Sequence, residues 1–207
     1  MKFIFILLIL ISSAHAQIEA KFRPDYWSTG LHLFFGGGLN AVHYNSDDNI
    51  TEIGYGINFK TDLGYYFTNR FAVEWSSNVK FNRVDNYLIW DTLMTFGVRY
   101  RMKEYYLRGF VGRAPTVVYF DGHPPEEFDD SRIERAQYNG PVYGLGVGKL
   151  FKADKGHIWF LETALSLQNL KHREGIRMNG EVPEVISTDK DDATVTSLYF
   201  MIGVMLF

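Results

Sequence analysis

The segment from Glu52 to Phe67 alternates between two kinds of side chain, and this pattern most constrains the fold. Large apolar residues and one threonine occupy every second position from Ile53 to Phe67, while polar, charged or glycine residues fill all but one of the positions between them. Successive side chains of a β-strand point to opposite faces, so the segment is predicted as one strand with an apolar and a polar face. Its length of about 15 residues exceeds the ~5–6 typical of soluble strands and suits a tilted membrane strand.

The same alternation recurs along the chain and predicts eight strands. Gly36-Gly37-Gly38 predicts a bend or bulge in the first strand, and Pro115 predicts a bulge in the fifth because proline cannot donate to a strand ladder. The predicted strands cover residues 29–44, 51–67, 70–84, 87–101, 104–119, 138–151, 157–172 and 193–207.

The connections between these strands fall into two classes. Those after strands two, four and six are short and polar, whereas those after the odd strands vary and include two long loops, 121–137 and 173–192. An even strand number with short turns at one end and long loops at the other is typical of outer-membrane barrels. The predicted fold is therefore all-β, an eight-stranded antiparallel up-and-down transmembrane β-barrel with both termini on the periplasmic side.

A soluble lipocalin-type barrel or a secreted β-sandwich is the alternative, because alternation does not say which face lies inside. The polar face carries charges in mid-strand, and the other face carries hardly any. A small barrel filled with charges and glycine is consistent only with an apolar face turned outward to lipid. The mid-strand charges are Lys60, Asp62, Glu74, Lys80, Asp91, Arg99, Arg108 and Glu162.

The first residues predict export. Lys2 is followed by an apolar run to Ile11 and by the small-x-small site Ala14-His15-Ala16, so residues 1–16 are predicted as a cleaved signal peptide and residues 17–207 as the barrel domain. The apolar run is shorter than the ~20 residues that a membrane-spanning helix needs. The expected location is the bacterial outer membrane.

Composition agrees with this fold class. Aromatic residues make up 16% of the chain, as expected where aromatic girdles mark both membrane interfaces. The chain has no cysteine, so an exported fold must be stable without disulfides. The formal net charge is only −3, which does not suggest nucleic acid as a partner.

The signal peptide, the alternation of short turns and long loops, the strand containing Gly144-x-Gly146-x-Gly148 and the terminal Phe207 together resemble the small outer-membrane β-barrel proteins related to the OmpA transmembrane domain. The resemblance covers the whole mature chain. Those proteins usually have glycine five residues before the final aromatic, whereas this chain has Ile202 there and Gly203 next. The sequence ends at Phe207, so no periplasmic peptidoglycan-binding domain is expected.

Inward charges are the first candidate site, and they are predicted to lie in the periplasmic half of the barrel. An eight-stranded barrel has room inside only for side chains, so these charges must pair. One hypothesis is a structural plug in which Glu74 and Glu162 pair with Arg99 or Arg108 and block conduction; the alternative is a narrow or gated pore. The predicted network consists of Lys60, Asp62, Glu74, Arg99, Arg101, Arg108 and Glu162.

Catalysis and metal binding have weaker signals. Some barrels of this architecture modify lipid A, but no His-x-Ser pair of the deacylase kind occurs here, and His43 and His172 could meet only at the outer rim. Loop 121–137 is acidic, yet it lacks the ordered spacing of a calcium loop. We therefore expect no enzyme activity, no cofactor and no metal site.

Surface interaction is the remaining candidate function. The loops 121–137 and 173–192 could bind an extracellular ligand, since function tends to lie in loops on a rigid scaffold. Outer-membrane lipid or lipopolysaccharide is the expected environment of a monomeric barrel. The last strand is expected to engage the barrel assembly machinery, through Tyr199, Phe200, Gly203 and Phe207.

The facing of the last strand has two solutions. Either Phe207, Met205, Met201 and Tyr199 point to lipid, or the alternate set does, and the alternate set is the more apolar. We expect the second, in which the lipid-facing residues are Leu198, Phe200, Ile202, Val204 and Leu206.

A closed barrel should be heat-modifiable. We expect detergent-extracted protein to migrate at different apparent masses before and after boiling, because an intact barrel binds less detergent than an unfolded chain. Gel electrophoresis of outer-membrane extracts measures this. An unshifted band together with recovery from the soluble periplasm would instead support the lipocalin-type barrel.

Overall fold

Strands account for nearly all of the chain that the structure, a computed structural model, describes. The described residues are 29–46, 51–85, 87–120, 133–152, 158–179, 182–186 and 192–206, so the predicted signal peptide lies outside them. No helix in these ranges is long and apolar enough to cross a membrane. The strands are β1 (Gly30–Ser46), β2 (Thr51–Tyr66), β3 (Phe71–Val84), β4 (Tyr87–Met102), β5 (Tyr105–Phe120), β6 (Ile133–Lys152), β7 (Ile158–Asn179), β8 (Val182–Ile186) and β9 (Ala193–Leu206).

The strands close into a barrel. Each of β1 to β7 pairs antiparallel with the next, and β9 pairs with β7 on one side and with β1 on the other. The closing ladder runs from Leu33 opposite Leu206 to Ser46 opposite Ala193. The predicted eight-stranded antiparallel barrel is confirmed, with β1 to β7 and β9 forming its wall.

The wall is apolar outside and polar inside. Outward-facing Leu145, Tyr55 and Phe96 are 73%, 71% and 69% exposed, whereas inward-facing Lys80 and Asp62 are 0% exposed. A soluble lipocalin-type barrel would show the reverse arrangement. Aromatic side chains cluster on the outer face near the short turns, at Tyr65, Phe67, Phe71, Tyr100, Tyr105, Phe151 and Trp159.

The last strand turns the more apolar of its two alternating sets of residues to the outside, as we expected. Leu198, Phe200 and Ile202 are about half exposed on the outer face, at 52%, 50% and 56%, whereas Tyr199 and Met201 are buried in the lumen. Gly203 also faces inward, against the backbone of β1. Phe207 lies outside the described residues, so its facing stays a prediction.

Neither predicted irregularity produces a bulge. The Gly36–Gly38 segment pairs with β2 and β9 in continuous register. At Pro115 the ladder to β4 is interrupted between the pairs Asp91–Thr116 and Met94–Arg113 and resumes in the same register, because proline removes a donor without adding a residue. The register shifts lie in the ladder between β6 and β7 instead. Between Ile133 and Arg135 the extra residue is in β6, and between Gln137 and Tyr138 it is Arg173 of β7.

Both predicted long loops are partly strand. β6 begins at Ile133, inside the predicted loop 121–137, and β7 continues to Asn179, inside the predicted loop 173–192. β8 then pairs back on β7, from Val182 opposite Asn179 to Ile186 opposite Gly175.

Inward glycines provide space for rings from the neighbouring strand. Gly144 is paired with Phe110 of β5. A Cβ added at Gly144 would overlap the Phe110 ring and would lie 2.7 Å from the Leu165 carbonyl oxygen. Gly148 accommodates Tyr106 in the same way, and Gly36 accommodates Phe160. Gly36 of the glycine run in β1 therefore serves interior packing.

Gly144→Ala should destabilise the barrel by about 1–3 kcal/mol, because the added methyl group displaces Phe110 in a filled lumen. Gly109→Ala is the matched control: it lies in the adjacent strand, and its nearest contact would be ordinary, 3.7 Å to Leu145 Cδ2. Urea unfolding in lipid vesicles, followed by tryptophan fluorescence, measures both. Equal effects of the two substitutions would contradict this packing role.

Candidate functional site

Six charged side chains meet in the lumen near the short turns, and we call them the charge cluster. Every one is almost fully buried, and three are cations and three are carboxylates. They come from five strands, β2, β3, β4, β5 and β7, so only barrel closure brings them together. The charge cluster consists of Lys60, Asp62, Glu74, Arg99, Arg108 and Glu162.

The register places two arginines side by side. Arg99 of β4 and Arg108 of β5 are directly opposite each other, an arrangement that is repulsive unless a carboxylate lies between them. Glu74 fills this role, because its Oε2 lies 2.9 Å from Arg99 Nε and its Oε1 accepts from Arg108 Nε. Asp62 adds a second contact, with Oδ2 at 3.0 Å from an Arg99 terminal nitrogen.

Lys60 and Glu162 connect opposite walls of the barrel. Lys60 Nζ lies 2.6 Å from Glu162 Oε1 on β7 and 2.8 Å from Asp62 Oδ2 on its own strand. The Tyr106 hydroxyl donates to Glu162 Oε2 at 2.8 Å, and an Arg108 terminal nitrogen lies 3.4 Å from Glu162 Oε1. These contacts cross the lumen, so the side chains occupy its cross-section.

The balance of charge explains how the cluster persists in a small lumen. An unpaired buried charge costs several kcal/mol, whereas a balanced network with additional hydrogen bonds offsets that cost. Arg99 also lies over two aromatic rings, with its guanidinium carbon 3.8 Å from the Phe34 centroid and 4.4 Å from the Tyr106 centroid. The arrangement rigidifies and fills this level of the barrel.

Arg101, the seventh residue of the predicted network, lies two residues beyond Arg99 on β4, nearer the short turn. Its Nε donates to the Lys103 carbonyl oxygen at 2.7 Å.

Two partners of the cluster were not predicted from sequence. His32 Nε2 lies 3.7 Å from Glu74 Oε2, and the Tyr106 hydroxyl donates to Glu162. Both residues occupy inward-facing positions of the alternating pattern, on β1 and β5, and that pattern could have identified them.

A second polar layer lies on the side of the cluster away from the short turns. Lys80 Nζ donates to Ser166 Oγ at 3.2 Å and lies 5.0 Å from the centroid of the Tyr199 ring. Asp91 accepts from the Thr116 hydroxyl at 2.6 Å and from Asn82 Nδ2 at 3.3 Å. Beyond this layer the lumen becomes apolar, lined by Val42, Val84, Ile89, Val118, Leu170 and Val195.

The described part of the chain contains no arrangement that supports the predicted rim histidine pair. His43 is exposed on the outer face of β1, whereas the His172 ring packs against Tyr138, with 5.3 Å between centroids. Among the described residues, no group of three or more His, Asp or Glu side chains is placed to hold a metal ion. Residues 121–132, most of the acidic loop, lie outside the described ranges.

The fold and the inside-out distribution of polarity define a class: this is the fold of the small eight-stranded outer-membrane β-barrel proteins. The chain is similar to Ail, the attachment invasion locus protein of Yersinia pestis, with 14% identity, a TM-score of 0.56, and coverage of 86% of this chain and 100% of that one. A structure of Ail in complex with the heparin analogue sucrose octasulfate matches with 13% identity, a TM-score of 0.55, and coverage of 86% and 99%.

A third similar structure is the outer membrane protein OprG of Pseudomonas aeruginosa, with 12% identity, a TM-score of 0.46, and coverage of 85% of this chain and 94% of that one. No protein-family model matches the chain, and no curated protein matches it. At 14% identity the likeness to Ail shows the fold, and the closer resemblance to the OmpA transmembrane domain stays a prediction.

Arg99→Ala should destabilise the barrel by about 3–5 kcal/mol, because it leaves the three carboxylates of the charge cluster with two cations in a buried site. Arg70→Ala is the control, an exposed arginine in the turn before β3, and it should cost less than about 0.5 kcal/mol. Urea unfolding in lipid vesicles measures both. Equal losses would contradict a special role for the charge cluster.

Proposed function

We propose that this chain is a bacterial outer-membrane protein whose barrel is closed to solutes and supports surface-exposed segments that make contacts outside the cell. The observation that carries the proposal is the charge cluster. Its cations and carboxylates join strands that are not neighbours, from Lys60 on β2 to Glu162 on β7 and from Arg108 on β5 to Asp62 on β2. A barrel of eight strands is only just wide enough to hold such side chains, so little cross-section remains for passage.

The surface role is supported by the unequal height of the barrel wall. β6 and β7 have 20 and 22 residues, whereas ~9–11 residues suffice for a tilted strand to cross the membrane. β8 extends this projection as a third strand. In the sequence, these strands lead into residues 121–132 and 187–191, within the loops predicted to bind an extracellular ligand. Such a ligand is part of the proposal.

The likeness to Ail is consistent with this role. Ail is named as an attachment invasion locus protein, and one of its structures contains a heparin analogue. By contrast, neither catalysis nor a gated pore has a supporting arrangement among the described side chains. We accordingly propose a non-enzymatic role, with lipopolysaccharide as the surroundings and the barrel assembly machinery as the partner of the last strand during insertion.

Conductance tests the closed lumen. We expect wild-type protein in planar lipid bilayers to show no steady conductance of porin size, because the charge cluster obstructs the lumen. The double variant Lys60→Ser/Glu162→Ser removes one cross-lumen ion pair without changing net charge, and it should produce measurable openings. Single-channel recording at fixed salt and voltage measures both.

The matched control is Arg83→Ser/Asp85→Ser, which removes an equally neutral pair from exposed positions at the end of β3. It should leave the bilayer silent. A steady porin-size conductance from the wild-type protein would show that the lumen is open and that the alternative prediction of a pore is correct.

A further inference from the structure

A buried histidine lies against the charge cluster on the inner face of β1. His32 is 1% exposed, and its ring lies over Gly64, the directly opposite residue of β2. A Cβ added at Gly64 would lie 2.5 Å from His32 Cε1 and 2.6 Å from its Nε2, so a larger residue there would displace the ring. Glu74 is opposite Gly64 on the other side, on β3. The ring therefore reaches across one strand toward a carboxylate of the cluster.

His32 approaches a carboxylate oxygen that an arginine already uses. Its Nε2 lies 3.7 Å from Glu74 Oε2, and the same oxygen lies 2.9 Å from Arg99 Nε. At 3.7 Å the two atoms are too far apart for a hydrogen bond. Among the described residues, neither ring nitrogen has a hydrogen-bond partner. The ring is held instead by packing against Tyr66 and Phe34, with 4.7 Å and 5.2 Å between centroids.

The groups around His32 leave no spare negative charge for a protonated ring. The titratable and charged side chains that face it are Asp62 and Tyr66 on β2, Glu74 on β3, and Arg99 and Arg101 on β4. Its described neighbours on β1 and β9 carry no charge. The cluster already balances three cations with three carboxylates, and Arg101 adds a further cation nearby. A proton on His32 therefore places a fourth cation beside Arg99 without an additional carboxylate.

We propose that His32 makes the stability of the barrel sensitive to acid, acting through the charge cluster. The site accommodates a neutral ring, which needs no counter-charge. A charged ring attracts Glu74 Oε2 and repels Arg99, so it weakens the contact by which Glu74 separates Arg99 from Arg108. Buried charge without full compensation is costly, and the cost is shared by every strand that the cluster joins. The proposal goes beyond the closed lumen and does not depend on it.

The sign of the effect follows from the unfolded chain. There the imidazole has its ordinary pKa of about 6.5 and takes up a proton as the pH falls. Below that pH the unfolded state binds more protons than a folded state that keeps the ring neutral, and folding stability falls with the pH. The stability that His32 allows is therefore fully present above about pH 7.5 and is lost on acidification.

Urea unfolding in lipid vesicles at two pH values tests this, with His32→Gln as the variant because an amide stays neutral throughout. Between about pH 7.5 and about pH 5, the folding equilibrium constant of the wild type should fall about 10- to 30-fold further than that of His32→Gln, the upper figure being the limit for one ring of ordinary pKa about 6.5. The control His43→Gln removes an imidazole from the exposed outer face of the same strand and should behave like wild type. Equal acid losses in wild type and His32→Gln would overturn the proposal.

Nitrogen-15 NMR of the folded wild type in detergent micelles provides a second test that needs no variant. With free histidine in the same sample as a reference, the His32 ring should remain neutral at a pH at which the reference is charged. A His32 ring that takes up its proton together with the reference would overturn the proposal, even if His32→Gln failed to fold. Bilayer conductance tests the closed lumen separately, so failure of one proposal is distinguishable from failure of the other.

Discussion

The structure depends on closure of the strand ladder between β1 and β9. Backbone N–H and C=O groups that face hydrocarbon have no water to bond, and each unsatisfied group costs several kcal/mol. A sheet can meet this requirement only by eliminating its edges, which the continuous pairing from Leu33–Leu206 to Ser46–Ala193 achieves. Once the ladder is closed, successive side chains of each strand face lipid and lumen in turn.

Closure also determines what the lumen must contain. Eight strands enclose a space that side chains fill, so polar residues on the inner face have each other as their main partners. The charge cluster follows from this confinement: Glu74 separates Arg99 from Arg108, and Lys60 crosses to Glu162. Glycines at Gly144 and Gly148 leave room for the rings of Phe110 and Tyr106, so the lumen is filled without distorting the wall.

Much of the fold could be predicted because period two is a local property of the chain. Alternation identified all eight wall strands and the inward parity of Glu74 and Glu162. The ends of the strands were harder, since β6, β7 and β8 extend into polar segments where alternation is weak and where pairing with a neighbour decides the conformation. The bulges expected at the glycine run and at Pro115 were wrong, because neighbouring strands impose one register on both segments.

The sequence by itself determined the architecture: a chain of long amphipathic strands with short and long connections alternating, with charges on one face. It also supplied the six members of the charge cluster and the hypothesis that Glu74 and Glu162 pair with Arg99 or Arg108. Tertiary structure alone decided that Glu74 lies between both arginines, that Lys60 reaches Glu162, and that His32 and Tyr106 join them. The physical reason is that parity is fixed within a strand, whereas contacts across a barrel depend on the register of strands that are far apart in the chain.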